Sequence, residues 1–138
     1  MSVSILDFVQ NVSTQIFRKD DIIFRQGEPS NGIMYFIFNG EVTILKNRNG
    51  EMEEIGTMKP GSFFGEMALL NPQPRAATII VKSSIIKLGI IEQRTFIQLS
   101  RSSPAFLYGL LKTVIFRLSK AEAKVEELQR QVDDISKK

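Results

Sequence analysis

Between Asp20 and about Ile91, short apolar runs are cut again and again by glycine-bearing turns, and this alternation limits the chain to a short-strand architecture. Asp21-Ile22-Ile23-Phe24-Arg25 runs into the turn-rich stretch Gln26-Gly27-Glu28-Pro29-Ser30-Asn31-Gly32. Ile33 to Phe38 is β-branched and aromatic, and Asn39-Gly40 closes it. Glu41 to Lys46 leads to Asn49-Gly50, a dipeptide suited to the positive φ of a tight hairpin, and then to a strand near Glu53–Met58. Thr78 to Val81 and Ile85 to Ile91 add two more. Strands this short and closely spaced predict an antiparallel roll or barrel and exclude alternating βα units.

The flanks follow a different period. Residues 3–17 place Ile5, Phe8, Val9, Val12 and Ile16 on one face, which predicts a short helix packed on the sheet. Glu92 to Leu99 predicts another. Pro104 then stands where a long last helix can begin, since proline is tolerated in a first turn. In that helix Leu107, Leu111, Val114, Leu118, Ala121, Val125, Leu128, Val132 and Ile135 are spaced alternately four and three apart. This is a coiled-coil seam, and at ~1.5 Å per residue it would extend about 43 Å. Its first half adds Leu110, Ile115 and Phe116, a face wide enough to cover the chain's own sheet. Beyond Ser119 only the seam is left, too narrow for a globular core, so a homodimer through the helix is expected over a single helix folded back. In a parallel pair Arg117 and Glu122 fall where an interchain ion pair of ~0.5 kcal/mol can form.

Composition enters through what is missing. The 138 residues include no Cys and no His, which removes thiol nucleophiles, Ser-His and Cys-His pairs, the usual zinc ligands and disulfides. A regulator, not an enzyme, is expected, with no metal and no cofactor. No run nears the ~18 apolar residues of a spanning helix, and the first residues carry no secretory pattern, so a cytoplasmic protein is expected. The net charge of +3 arises wholly from residues 101–138, with eight basic and five acidic side chains. Mixed signs there read as a solvated helix face, and no nucleic-acid partner is expected within this chain.

The segment with chemical content runs from Gly61 to Thr78. Gly65 permits close backbone approach and precedes a short apolar helical turn, which prolines stop. Glu66 sits at the positive end of that turn, where a carboxylate is stabilised and can accept from a hydroxyl. Arg75 lies between Pro74 and Ala76-Ala77, in apolar surroundings where a guanidinium needs an anionic partner. An anion beside a hydroxyl acceptor is the chemistry of a sugar phosphate. A structural Glu66–Arg75 salt bridge accounts equally well for the same residue types.

Phe64-Gly65-Glu66-Met67-Ala68-Leu69-Leu70, a proline-containing loop and Arg75-Ala76-Ala77-Thr78 resemble the phosphate-binding cassette of the cyclic nucleotide-binding domain family, which includes protein kinase A regulatory subunits and the catabolite activator protein. Ile23-Phe24-Arg25-Gln26-Gly27-Glu28 and Tyr35-Phe36-Ile37-Phe38-Asn39-Gly40-Glu41-Val42 resemble that family's first glycine turn and the strands after it. The likeness spans essentially the whole chain as one domain, residues 1–138, with the roll at 20–91, the cassette at 64–78 and the long helix at 104–136. It implies a mainly β fold: an eight-stranded antiparallel, jelly-roll-like β-roll with an N-terminal helix and a long C-terminal dimerisation helix. It also implies that Glu66 accepts the ribose 2′-hydroxyl and Arg75 binds the phosphate. Backbone N–H groups around Gly65, Glu66, Met67 and Ala68, and at Ala76 and Ala77, would complete the cradle. Ile44 and Ile55 match the apolar residues flanking the base, and strand core is the alternative for both.

In this family a Thr or Ser after the cassette arginine accompanies cGMP. Ala76 here favours cAMP, with cGMP as the alternative. Where the catabolite activator protein contacts adenine from its long helix, this chain offers Ala121 and Glu122, a departure that leaves base selectivity open. The implied mechanism is ligand-driven movement of the long helix about residues 100–106, read by an effector protein. Two other functions compete. One is the sensing half of a transcription regulator whose DNA-binding domain lies beyond residue 138. The other is a degenerate roll that only associates.

Overall fold

The computed structural model describes residue 9 and residues 12–71 and 73–136. Eight strands and three helices follow one another: β1 (Ser13–Arg18), β2 (Ile22–Phe24), β3 (Ile33–Asn39), β4 (Val42–Arg48), β5 (Glu51–Met58), β6 (Phe63–Phe64), α1 (Met67–Leu70), β7 (Thr78–Val81), β8 (Ile85–Glu92), α2 (Gln93–Ser102) and α3 (Pro104–Ser136). Two four-stranded antiparallel sheets have the orders β1-β8-β3-β6 and β2-β7-β4-β5. This interleaving of early and late strands is a jelly roll, not a closed barrel.

Why β3 reads as unbroken apolar sequence follows from its place between two cores. Successive strand side chains point to opposite faces. Tyr35 and Ile37 enter the core between the sheets, with Phe24, Val42, Phe64, Ile79, Val81, Ile86 and Leu88. Met34 and Phe36 face the other way, onto Val9, Phe63, Leu69, Ile91, Phe106 and Leu110. Phe63 and Phe64 on β6 divide in the same manner. The second core docks α3, because Phe106 and Leu110 lie one helical turn apart and both are buried.

The N-terminal flank departs from expectation. Ser13–Arg18 is a strand paired with β8, not the end of a helix, and Ile16 is exposed. The β-branched and aromatic run Thr14-Gln15-Ile16-Phe17 meets a free edge of β8, whose backbone groups outcompete a weak helical period. The rest of the expected helix, residues 3–8, 10 and 11, lies outside the described residues. On α3, Leu110 covers the sheet as expected, whereas Ile115 and Phe116 are exposed. No helix among the described residues is long and apolar enough to cross a membrane.

Candidate functional site

A cavity of about 330 Å³ opens between the cassette, the β2-β7-β4-β5 sheet and α3. That is the lower end of the ~300–1,000 Å³ usual for small-molecule sites. Phe24, Ile44, Met58, Phe64 and Ile79 form an apolar wall, and Gly65, Glu66, Met67, Ala68, Arg75, Ala76 and Ala77 line the other side, where Glu66 and Arg75 carry the charged side chains. Nine of the ten residues singled out from the sequence therefore line one cavity.

Ile55 does not. Ile44 pairs across the ladder with Gly56 and Leu45 with Glu54, so Ile55 is the extra residue at a register shift in β5, without a ladder partner and 45% exposed. Ala121 and Glu122 are also absent from the lining, and both are exposed. The α3 residue that reaches the cavity is Arg117, four positions earlier.

Arg75 is buried, at 7% exposure, and no carboxylate among the described residues pairs with it. The structural salt bridge with Glu66 is therefore not formed. Instead Nη2 donates to the Asn31 side-chain oxygen and, at 3.1 Å, to the carbonyl oxygen of Ile33. The guanidinium lies 4.1 Å from the Phe24 ring centroid. Its backbone is clamped to the β2–β3 loop: Gly27 N–H donates to the Arg75 carbonyl at 2.7 Å, and Arg75 N–H to that of Glu28 at 2.9 Å. Nε and Nη1 have no hydrogen-bond partner among the described residues, yet neither is sealed from solvent. Burial pulls the guanidinium below its ordinary pKa, and Tyr35 and Glu28 push it back up. A buried cation with free donors on a cavity wall is a receptor for an anion.

Gly65 is needed where it stands. Its φ is +79°, and a Cβ there would lie 2.9 Å from Nη1 of Arg75 and 3.1 Å from the Ile33 carbonyl oxygen. α1 begins only at Met67 and has one turn, and the Ala68 N–H is engaged with the Gly65 carbonyl oxygen at 3.1 Å. Of the expected cradle amides, that one is already turned inward.

Glu66 pairs with Arg117 at 3.3 Å. Arg117 also donates to the Phe63 carbonyl oxygen at 2.9 Å and lies 4.3 Å from the Phe63 ring centroid. It is thus tied to Glu66 and Phe63 of its own chain. Sequence reading missed this role because Arg117 stands next to the apolar seam and 51 positions from Glu66. Its one signal was an arginine where the apolar face of α3 narrows.

Fold and cavity together define a jelly-roll domain with a buried arginine on the wall of a small cavity. A family profile, the cyclic nucleotide-binding domain, matches residues 14–103. The chain belongs to that family and is a cyclic nucleotide-binding regulatory domain. It is 34% identical over 83 residues to a cAMP-dependent protein kinase regulatory subunit of Mucor circinelloides f. lusitanicus, covering 60% of this chain and 19% of that one. It is 32% identical over 131 residues to a cGMP-dependent protein kinase of Plasmodium berghei (strain Anka), covering 88% of this chain and 14% of that one. The chain thus spans less than a fifth of the length of either relative. The Thermus thermophilus catabolite activator protein shares the fold, with a TM-score of 0.81 at 21% identity over 94% of this chain and 61% of that one.

Proposed function

We propose that the domain is a sensor of cAMP in which Arg75 takes the phosphate, Glu66 accepts the ribose 2′-hydroxyl and the Ile44 wall receives the base. One observation carries the reading: Arg75 is buried on neutral acceptors, with donors open on the cavity and no carboxylate partner among the described residues. A cyclic phosphodiester supplies the missing charge. Ala76, on the cavity wall, has no hydroxyl for a guanine amino group, which favours cAMP. The relative at 34% identity is named for cAMP and the one at 32% for cGMP, so cGMP is the alternative ligand. No metal or other cofactor takes part.

Glu66 links the cavity to α3 through Arg117. A ligand hydroxyl arriving at Glu66 meets Arg117 there, so occupancy and helix position are coupled by the ligand's differential affinity for the two arrangements. The segment at Ser103, between α2 and α3, is the place for a hinge. The seam positions Leu111, Leu118, Val125, Leu128, Val132 and Ile135 are exposed on α3, and a second copy of the chain is the occupant that a heptad seam fits. An effector protein reads the change.

Calorimetric titration with cAMP and cGMP side by side tests the reading. Wild type binds both, cAMP more tightly. Arg75→Ala loses on the order of 3–5 kcal/mol of cAMP binding, as expected when one partner of a desolvated charge pair is removed. Unchanged affinity in that variant, or no binding of either nucleotide to wild type, overturns the proposal.

A further inference from the structure

Among the described residues, the side chains on the cavity that form ordinary hydrogen bonds are those of Glu66, Gln73, Arg75 and Arg117. Glu66 and Arg117 hold each other, and Nη2 of Arg75 is taken by Asn31 and Ile33. Gln73 is held far more loosely: its Nε2 donates to the Asn71 side-chain oxygen at 3.4 Å, near the limit for such a bond. Gln73 is exposed, and it stands two positions before the buried Arg75. Pro74 between them drives Gln73 to an extended backbone. Side chains two apart on extended backbone lie on the same side, about 6.5 Å apart along the chain. A neutral amide donor therefore stands at the mouth of the cavity, beside the cation on its wall.

We infer that Gln73 is a second phosphate-binding residue: when cAMP enters, its side-chain amide leaves Asn71 and donates to an exocyclic phosphate oxygen. A cyclic phosphodiester offers more lone pairs than Arg75 has N–H groups left once Nη2 is occupied, so there is an acceptor for a further donor. The exchange is favourable, because a long bond between two neutral amides gives way to a charge-assisted one, which is shorter and about twice as strong. A backbone already restrained by Pro74 keeps the ordering cost low. The inference rests on the assignment of Arg75 to the phosphate.

The test is calorimetric titration of the full chain with cAMP and with its two cyclic phosphorothioate analogues, in which sulfur, a poor acceptor, replaces one or the other exocyclic oxygen. Gln73 and Asn71 are both exposed, so their alanine variants are expected to fold as wild type does. Gln73→Ala is expected to weaken cAMP binding about fivefold, the gain of a charge-assisted bond less the neutral one it replaces. With the analogue whose sulfur faces Gln73, that loss should shrink to less than about twofold, and with the other analogue it should stay in full. Asn71→Ala removes only the resting partner and should bind cAMP as tightly as wild type or somewhat more tightly. A Gln73 that merely braced the loop would show equal losses with both analogues, and Asn71→Ala would share them. Either of those results, or wild-type affinity in Gln73→Ala, overturns the inference. If Arg75→Ala leaves cAMP binding intact, the phosphate assignment itself fails, which is a separate outcome.

Discussion

Replacing Arg117 with alanine removes the one polar side-chain tie between the cavity and α3 among the described residues. The pair with Glu66 is neither fully exposed nor sealed, its side chains being 35% and 26% exposed, so it contributes no more than ~0.5–1 kcal/mol. The bond to the Phe63 carbonyl, at 2.9 Å, has a charged donor and adds ~1.5 kcal/mol. The guanidinium near the Phe63 ring adds ~0.5 kcal/mol. These share one side chain and do not sum freely, so about 2 kcal/mol is the expected loss. For a domain of this size ~1 kcal/mol corresponds to about 4 °C, which puts the melting temperature some 8 °C lower. Thermal unfolding by circular dichroism measures that shift. Hydrogen exchange across residues 104–117 then shows whether the helix has loosened locally, as fewer anchoring contacts predict. Phe106 and Leu110 still hold the first turns, so the domain stays folded. A melting temperature within 2 °C of wild type, with unchanged exchange in α3, would refute the view that Arg117 fastens the helix to the cassette.

Gly65→Ala forces a Cβ against Nη1 of Arg75 at a φ of +79°, so a loss of about 2 kcal/mol of stability and of most cAMP affinity is expected. Denaturant unfolding and calorimetry check the two effects, and a variant as stable and as tight as wild type shows that the close approach is not needed. Leu128→Glu puts a charge on the exposed seam of α3 and is expected to convert dimers to monomers. Sedimentation equilibrium gives the mass directly; equal masses for wild type and variant remove the seam as an interface.

The sequence by itself determined the elements whose signal is local. Glycine turns at 27, 32, 40, 50, 61 and 65, all at positive φ in the structure, cut the chain into strands where the apolar runs suggested them. The heptad spacing marked a helix that runs from Pro104 to Ser136. The cassette residues were legible through their resemblance to a family motif, since the residue types alone fitted a Glu66–Arg75 salt bridge equally well. What only the tertiary structure decided is pairing at a distance. Whether residues 13–18 form helix or strand depended on the open edge of β8. Ile55 was left out of the cavity by a one-residue shift in the β4–β5 ladder, which leaves it without a partner between Glu54 and Gly56. Glu66 took Arg117 and Arg75 took Asn31, partners 51 and 44 positions away, because side chains that meet in space are chosen by how sheets and helix stack, and no local pattern encodes that.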